Sequence, residues 1–143
     1  MTEIENQKAK IIEVIPTSEF YFQRGITAFQ KNEMDRAKKY FLRAVTLSKN
    51  EEESIFASCQ LAICCQHTGD YNESIEILDE LIEKNGDIFA EAYYFQANNY
   101  AFKDDLEQSL ILVEQYLALD PEGDFVEEAS ELQETLKMEL NEI

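Results

Sequence analysis

The sequence predicts an all-α chain of about seven helices, stacked as antiparallel pairs. Three observations predict it. Two small residues stand twelve apart three times, Gly25 and Ala37, Ala62 and Ser74, Ala97 and Ser109, each pair in the same apolar frame. Only four Gly and two Pro occur among 143 residues, too few for the turns of an all-β fold. A hydrophobic content of 45% in a chain of this length suits one domain with one continuous core.

Residues 1–17 read as an N-terminal extension, extended or disordered. Lys10-Ile-Ile-Glu-Val-Ile15 is rich in β-branched residues and stops at Pro16, which favours extended backbone before Thr17 or Ser18 caps the first helix. A single domain then spans 18–143, with repeats at about 18–51, 55–88 and 90–123 and a closing helix at about 124–141.

Aligned on the small pairs, the blocks agree column by column. Seven residues after the first small residue come Asn32, Gly69 and Asp104, turn formers between helices. Two further on, Met34, Tyr71 and Leu106 open the second helix of each block. Phe41, Leu78 and Val113 share the next apolar column, followed by Ala44, Leu81 and Tyr116. Four before the first small residue stand Tyr21, Ser58 and Tyr93. Helices that cross closely need small side chains where their axes approach, which the pairs provide. Ser74 and Ser109 substitute for Ala there if their hydroxyls return to a carbonyl one turn earlier in the same helix.

Helix entrances recur in register too. Asp70-Tyr-Asn-Glu73, Asp105-Leu-Glu-Gln108 and Asp124-Phe-Val-Glu127 have capping-box spacing, whereas the first block has Glu33 and Arg36. Block spacings of 37 and 35 imply extra length, placed in an enlarged turn at Lys49-Asn-Glu-Glu-Glu53. In the last element Phe125, Ala129, Leu132, Leu136 and Leu140 recur at helical spacing with carboxylates opposite. That helix either closes the stack or begins a fourth unit of a longer protein.

Charge and cysteine narrow the function. Residues 1–50 carry nine Lys/Arg against six Asp/Glu, and residues 51–143 carry three against twenty-four, within a net charge of −18. The acidic body repels phosphate, so nucleic acid is excluded as a partner, while apolar or basic protein segments suit it. No apolar run reaches the roughly 20 residues of a membrane span, and residues 1–5 do not open a signal peptide; no membrane partner and a cytoplasmic location are expected. Cys59, Cys64 and Cys65 crowd one predicted helix and read as small buried apolar residues. With His67 as the only companion they make no zinc site, and no metal or other cofactor is expected. No nucleophile motif, Gly-rich phosphate loop or defined carboxylate pair marks a catalytic centre, so no enzyme activity is expected.

This pattern resembles the tetratricopeptide repeat, a helix-turn-helix unit of 34 residues. The closest matches are Ala97-Asn-Asn-Tyr100, His67-Thr-Gly-Asp-Tyr71 and Ala118-Leu-Asp-Pro121, within a span of about 18–123. Ser58 departs from the aromatic usual near the unit start. The resemblance implies a right-handed superhelical solenoid. Its first helices would line a concave wall that binds a protein or peptide segment. On that wall it places Phe22, Ile26 and Phe29, then Phe56, Cys59, Ile63 and His67, then Tyr94, Phe95, Asn98 and Phe102. Family members that hold chaperone tails ending in Glu-Glu-Val-Asp use Lys, Arg and Asn where this chain has Phe22, Ile26, Gln60, Glu91 and Phe95, so the resemblance does not extend to that clamp.

The implied function is a non-enzymatic adaptor for an apolar, basic partner segment. Two further readings stay open. One is a chaperone for an extended partner segment, similar to the small acidic three-repeat chaperones of bacterial secretion translocators. The other is a weakly self-associating module, a fragment of a longer repeat protein, joined through Lys31, Arg36, Lys38, Lys39 and Arg43 to the acidic end of a second copy.

Overall fold

The computed structural model describes residues 16–141, and among these there are seven α-helices. They are α1 (Ser18–Gln30), α2 (Met34–Thr46), α3 (Glu51–His67), α4 (Tyr71–Asn85), α5 (Glu91–Phe102), α6 (Leu106–Leu119) and α7 (Val126–Asn141). Expectations for residues 1–15 lie outside the described residues. Each helix packs on the next, and α1 also packs on α3, and α3 on α5. The first helices of the three pairs therefore stand side by side as one wall, with α2, α4 and α6 behind it. The architecture is the predicted all-α stack of helix pairs.

The turn column shows why the pairs fold back so tightly. Asn32, Gly69 and Asp104 have φ of 59°, 81° and 62°, the left-handed region that Gly, Asn and Asp tolerate best. Each ends its helix with the same bond, in which Glu33, Asp70 and Asp105 donate their N–H groups to the carbonyls of Ala28, Cys65 and Tyr100. One backbone device thus reverses the chain three times.

The small pairs lie where the paired helices cross. Ala37, Ala62, Ser74, Ala97 and Ser109 are fully inaccessible, and Gly25 is buried beside the Phe41 ring. The hydroxyls of Ser74 and Ser109 do not turn back within their own helices as expected. They cross to the partner helix, donating to the carbonyls of Ala62 (2.9 Å) and Ala97 (2.8 Å). The backbones approach closely enough there for a serine hydroxyl to reach a carbonyl on the facing helix. Each bond contributes about 1 kcal/mol and pins the crossing point.

Helix entrances follow the sequence unevenly. Thr17 caps α1 by accepting from the Phe20 N–H (3.1 Å), and Asp105 caps α6 through the Gln108 N–H (3.2 Å). Asp70 does not cap α4. Its carboxylate is taken by the Thr68 hydroxyl (2.9 Å) and by Lys38 Nζ (3.2 Å), and these bonds hold it below the usual carboxylate range. Asp124 is not the α7 cap either, because Ala129 donates to the carbonyl of Phe125, which puts Phe125 at that position. The expected enlarged turn at 49–53 is instead a helix start. Asn50 accepts from the Glu53 N–H (2.8 Å) while the Glu53 carboxylate accepts from the Lys49 N–H (3.3 Å), so the extra residues lengthen α3 to 17.

Repeats are joined by apolar and polar contacts. Leu61 and Cys64 of α3 complete the first core around Ala28, Ala37 and Phe41. Behind α5 a polar chain runs through the interior, from Asn99 Nδ2 to Ser74 Oγ (2.8 Å) and Gln96 Oε1 (2.9 Å), and from Gln96 Nε2 to Asp79 (2.7 Å) and the Ile75 carbonyl (3.0 Å). Lys38 of α2 bridges to Asp70 and Glu73 of the second repeat (3.2 and 3.3 Å). That corrects its place in the exposed basic patch. Burial alone would lower its pKa, but the bonds to those carboxylates carry it above its ordinary value.

Candidate functional site

The wall of α1, α3 and α5 carries two open depressions. The first, about 370 Å³, lies between the starts of α1 and α3, where Phe22 and Phe56 face each other beside Glu19, Glu52 and Glu53. The second, about 420 Å³, lies where the ends of α3 and α5 meet the entrance of α7, and contains Ile63, Gln66, His67, Tyr94, Phe95, Asn98, Phe102, Phe125 and Glu128. Neither depression is lined by Lys or Arg.

Ten of the eleven residues expected on this surface are at least partly accessible there. Phe56 and Phe102 are exposed, at 46% and 63%, and His67 is exposed too. Phe22, Ile26 and Phe29 are half-buried and pack on the first core, with the Phe22 ring edge-on to Phe41 at 5.6 Å. The Phe29 ring meets His67 edge-on at 4.9 Å, linking the ends of α1 and α3. Cys59 is the exception. It is 4% exposed and packs beneath the wall with Ile55, Ala62, Leu78 and Ala92, because one helical position of rotation separates groove from core.

All three thiols are free and buried. Burial pushes Cys59 up to about 12, with the nearby Glu91 carboxylate adding to the shift. It likewise takes Cys64 to about 11, against an opposing pull from Lys38, and Cys65 to about 12 with help from Glu73. Protonated thiols out of solvent are poor nucleophiles. Among the described residues no group of three or more His, Cys, Asp or Glu is placed to hold a metal ion, and no helix is long and apolar enough to cross a membrane.

The structure adds residues that sequence reasoning did not assign to the groove. Phe125 stacks on Tyr94 (5.1 Å, 11° between planes) and meets Phe95 edge-on (5.1 Å). Its N–H donates to the Tyr116 hydroxyl (3.0 Å), which fixes the chain as it enters α7. Phe125 thus closes one end of the second depression. Gln66 lies in the same place and donates from Nε2 to the Phe95 carbonyl (2.8 Å), bracing α3 against α5. The apolar stripe of the last helix held the signal for Phe125, but periodicity does not reveal which neighbour such a stripe meets.

The tetratricopeptide-repeat family model matches residues 18–51. The chain is 29% identical over 130 residues to the TPR repeat-containing protein YvcD of Bacillus subtilis (strain 168), covering 91% of this chain and 26% of that protein. It therefore spans about a quarter of the length of that curated relative. Among solved structures, it is similar to the type III secretion chaperone SycD of Yersinia enterocolitica in complex with a peptide of the translocator YopD. There the TM-score is 0.73 at 17% identity, over 85% of this chain and 92% of that one. It is similar also to the first TPR of Spaghetti (RPAP3) bound to the HSP90 peptide SRMEEVD, with a TM-score of 0.75 at 14% identity, over 87% and 94%. At these identities the structural likeness is one of fold. The tetratricopeptide-repeat model thus fits the first repeat, and the same turn and crossing devices recur in the two that follow.

Proposed function

We propose that this chain is a non-catalytic protein-binding module whose groove takes an apolar, basic segment of a partner. The observation that carries the reading is the composition of the two depressions, in which aromatic walls are accompanied by carboxylates and by no Lys or Arg. Aromatic anchors contribute most of the energy of such contacts, and unpaired carboxylates at their rim select the sign of the partner's charge. The peptide complexes of the two solved structures support a peptide-binding groove, while the preference for a basic segment rests on the lining of this chain's own depressions.

Geometry also constrains the ligand. About eleven residues of α3 separate the centres of the two depressions, or about 16 Å along its axis. One helix spacing of about 9 Å separates them across the wall. The diagonal is about 19 Å, which five or six residues of extended chain span at ~3.3 Å each. The favoured ligand therefore has two large apolar residues five or six apart with Lys or Arg beside them.

A peptide array scanned with the full chain tests this, varying anchor spacing and flanking charge. Binding should peak at that spacing and weaken at least tenfold in a Phe56→Ala, Phe102→Ala double variant, whose open side chains cost the fold little. Equal binding by the double variant, or preference for acidic peptides, refutes the reading. The chaperone reading is favoured by the likeness to SycD. It separates from the adaptor reading by co-expression, because a chaperone keeps soluble a partner that otherwise aggregates.

A further inference from the structure

The outer face of the first repeat differs from its counterparts in one physical respect. In the repeat register, Phe20, Arg24 and Ala28 of α1 share columns with Ala57, Leu61 and Cys65 of α3, and with Ala92, Gln96 and Tyr100 of α5. In the inner repeats the preceding second helix covers these positions, leaving Ala57, Cys65 and Ala92 fully inaccessible, Leu61 and Gln96 at 8% and 1%, and Tyr100 partly buried. In the first repeat Phe20 and Arg24 instead stay accessible, on a depression of about 760 Å³ lined by Phe20, Tyr40 and the buried Ala28, with Arg24, Lys31 and Arg36 and the carboxylates of Glu19 and Glu33 around them. Arg36 is paired with Glu33 (3.0 Å) and Arg24 lies over the Phe20 ring (4.8 Å), while Lys31 has no carboxylate partner among the described residues. This is the surface of a repeat interface for which the described residues supply no covering element.

We propose that residues 1–15 of the same chain cover this face. Three observations favour that occupant over another. The segment joins the body at Pro16, next to Thr17, which itself lines the depression, so it is delivered to the rim. Fifteen residues span about 22 Å even at the 1.5 Å rise of a helix, enough to run the length of the 13-residue α1. Its apolar residues Ile11, Ile12, Val14 and Ile15 match the apolar floor of Phe20, Ala28 and Tyr40, and Glu13 among them supplies a carboxylate for Lys31 on the rim. The face lies outside the two groove depressions, so the inference stands apart from the peptide-binding reading.

Amide hydrogen exchange on the full-length protein tests the proposal, together with thermal unfolding of the Ile12→Asp and Arg24→Glu, Arg36→Glu variants. Docking predicts that amides within residues 4–15 exchange at least tenfold slower than an unstructured peptide. That protection should be lost in both variants, and the melting temperature should fall by about 4 °C or more in Ile12→Asp. Unprotected amides with an unchanged melting temperature overturn it. So does a wild-type protein that sediments as a dimer and becomes monomeric in the arginine variant, since a second copy would then be the cover. Groove-peptide affinity should be the same in all three proteins, which separates this test from the previous one.

Discussion

Replacing Gly25 with Ala sets two effects of opposite sign against each other. Alanine is the better helix former by about 1 kcal/mol, so on propensity alone the variant gains stability. A Cβ at this position, however, would stand 2.6–2.8 Å from three atoms of the Phe41 ring, inside any real carbon contact. Phe41 is fully buried and also packs edge-on with Phe22, so it has no free space to retreat into. Overpacking of this kind costs about 1–3 kcal/mol and typically exceeds the propensity gain, leaving a net loss of about 1 kcal/mol. The other repeats show the compensation. The pair Gly25 and Phe41 is replaced by Ala62 and Leu78, then by Ala97 and Val113, so that when one side gains a methyl the other loses bulk. Phe41→Leu alone leaves a cavity and costs about 2 kcal/mol. In the double variant the added methyl fills part of that space, and the loss should be smaller than the sum of the singles by about 1 kcal/mol or more. Urea unfolding followed by helical circular dichroism measures all four proteins. A Gly25→Ala protein more stable than wild type, or single losses that add within about 0.3 kcal/mol, refutes the packing argument.

The two crossing serines should differ. Ser74→Ala removes the bond to the Ala62 carbonyl and also takes the acceptor from one of the two Asn99 Nδ2 hydrogens, the other staying on Gln96, so it should cost about 1 kcal/mol more than Ser109→Ala in the same unfolding assay. The thiols predict an alkaline loss of stability. Their folded pKa values lie above the ordinary value of 9.0, so the native state keeps protons the unfolded chain releases; stability is complete below about 9 and falls as pH rises toward 11–12. Urea midpoints should drop between pH 8 and pH 10, and Cys59→Ala should lessen the drop by up to about 1.4 kcal/mol; an unchanged slope contradicts the assignment. A peptide ending in Glu-Glu-Val-Asp should show no binding in a calorimetric titration, because the depressions hold carboxylates and no Lys or Arg, and so offer its charges no counterion. Salt-sensitive binding would show that the groove's charge has been misjudged.

Much of the fold was legible because its devices are local. A left-handed residue between helices must be Gly, Asn or Asp, and a crossing helix must thin at one point, so both leave marks in the sequence at fixed spacing. Helix count, pairing and turn positions followed from those marks. The start of α3 did not, because Lys49-Asn-Glu-Glu-Glu53 reads as polar punctuation until Asn50 and Glu53 are found bonded to the backbone amides at a helix entrance. Which first-helix residues reach the wall's surface was legible to within one helical position, which is the margin that separates Cys59, under the wall, from Phe56, open on it.

By itself, then, the sequence determined the repeat: its register, its reversals and the columns where helices touch, all set by contacts within about 16 residues along the chain. The tertiary structure decided where polar groups and end elements find partners. Ser74 and Ser109 cross to a facing helix, Lys38 reaches carboxylates of the next repeat, and Phe125 folds back on Tyr94 and Phe95. A side chain settles on the nearest group that satisfies it. In a stack of helices that group belongs to a neighbour whose distance no periodicity records.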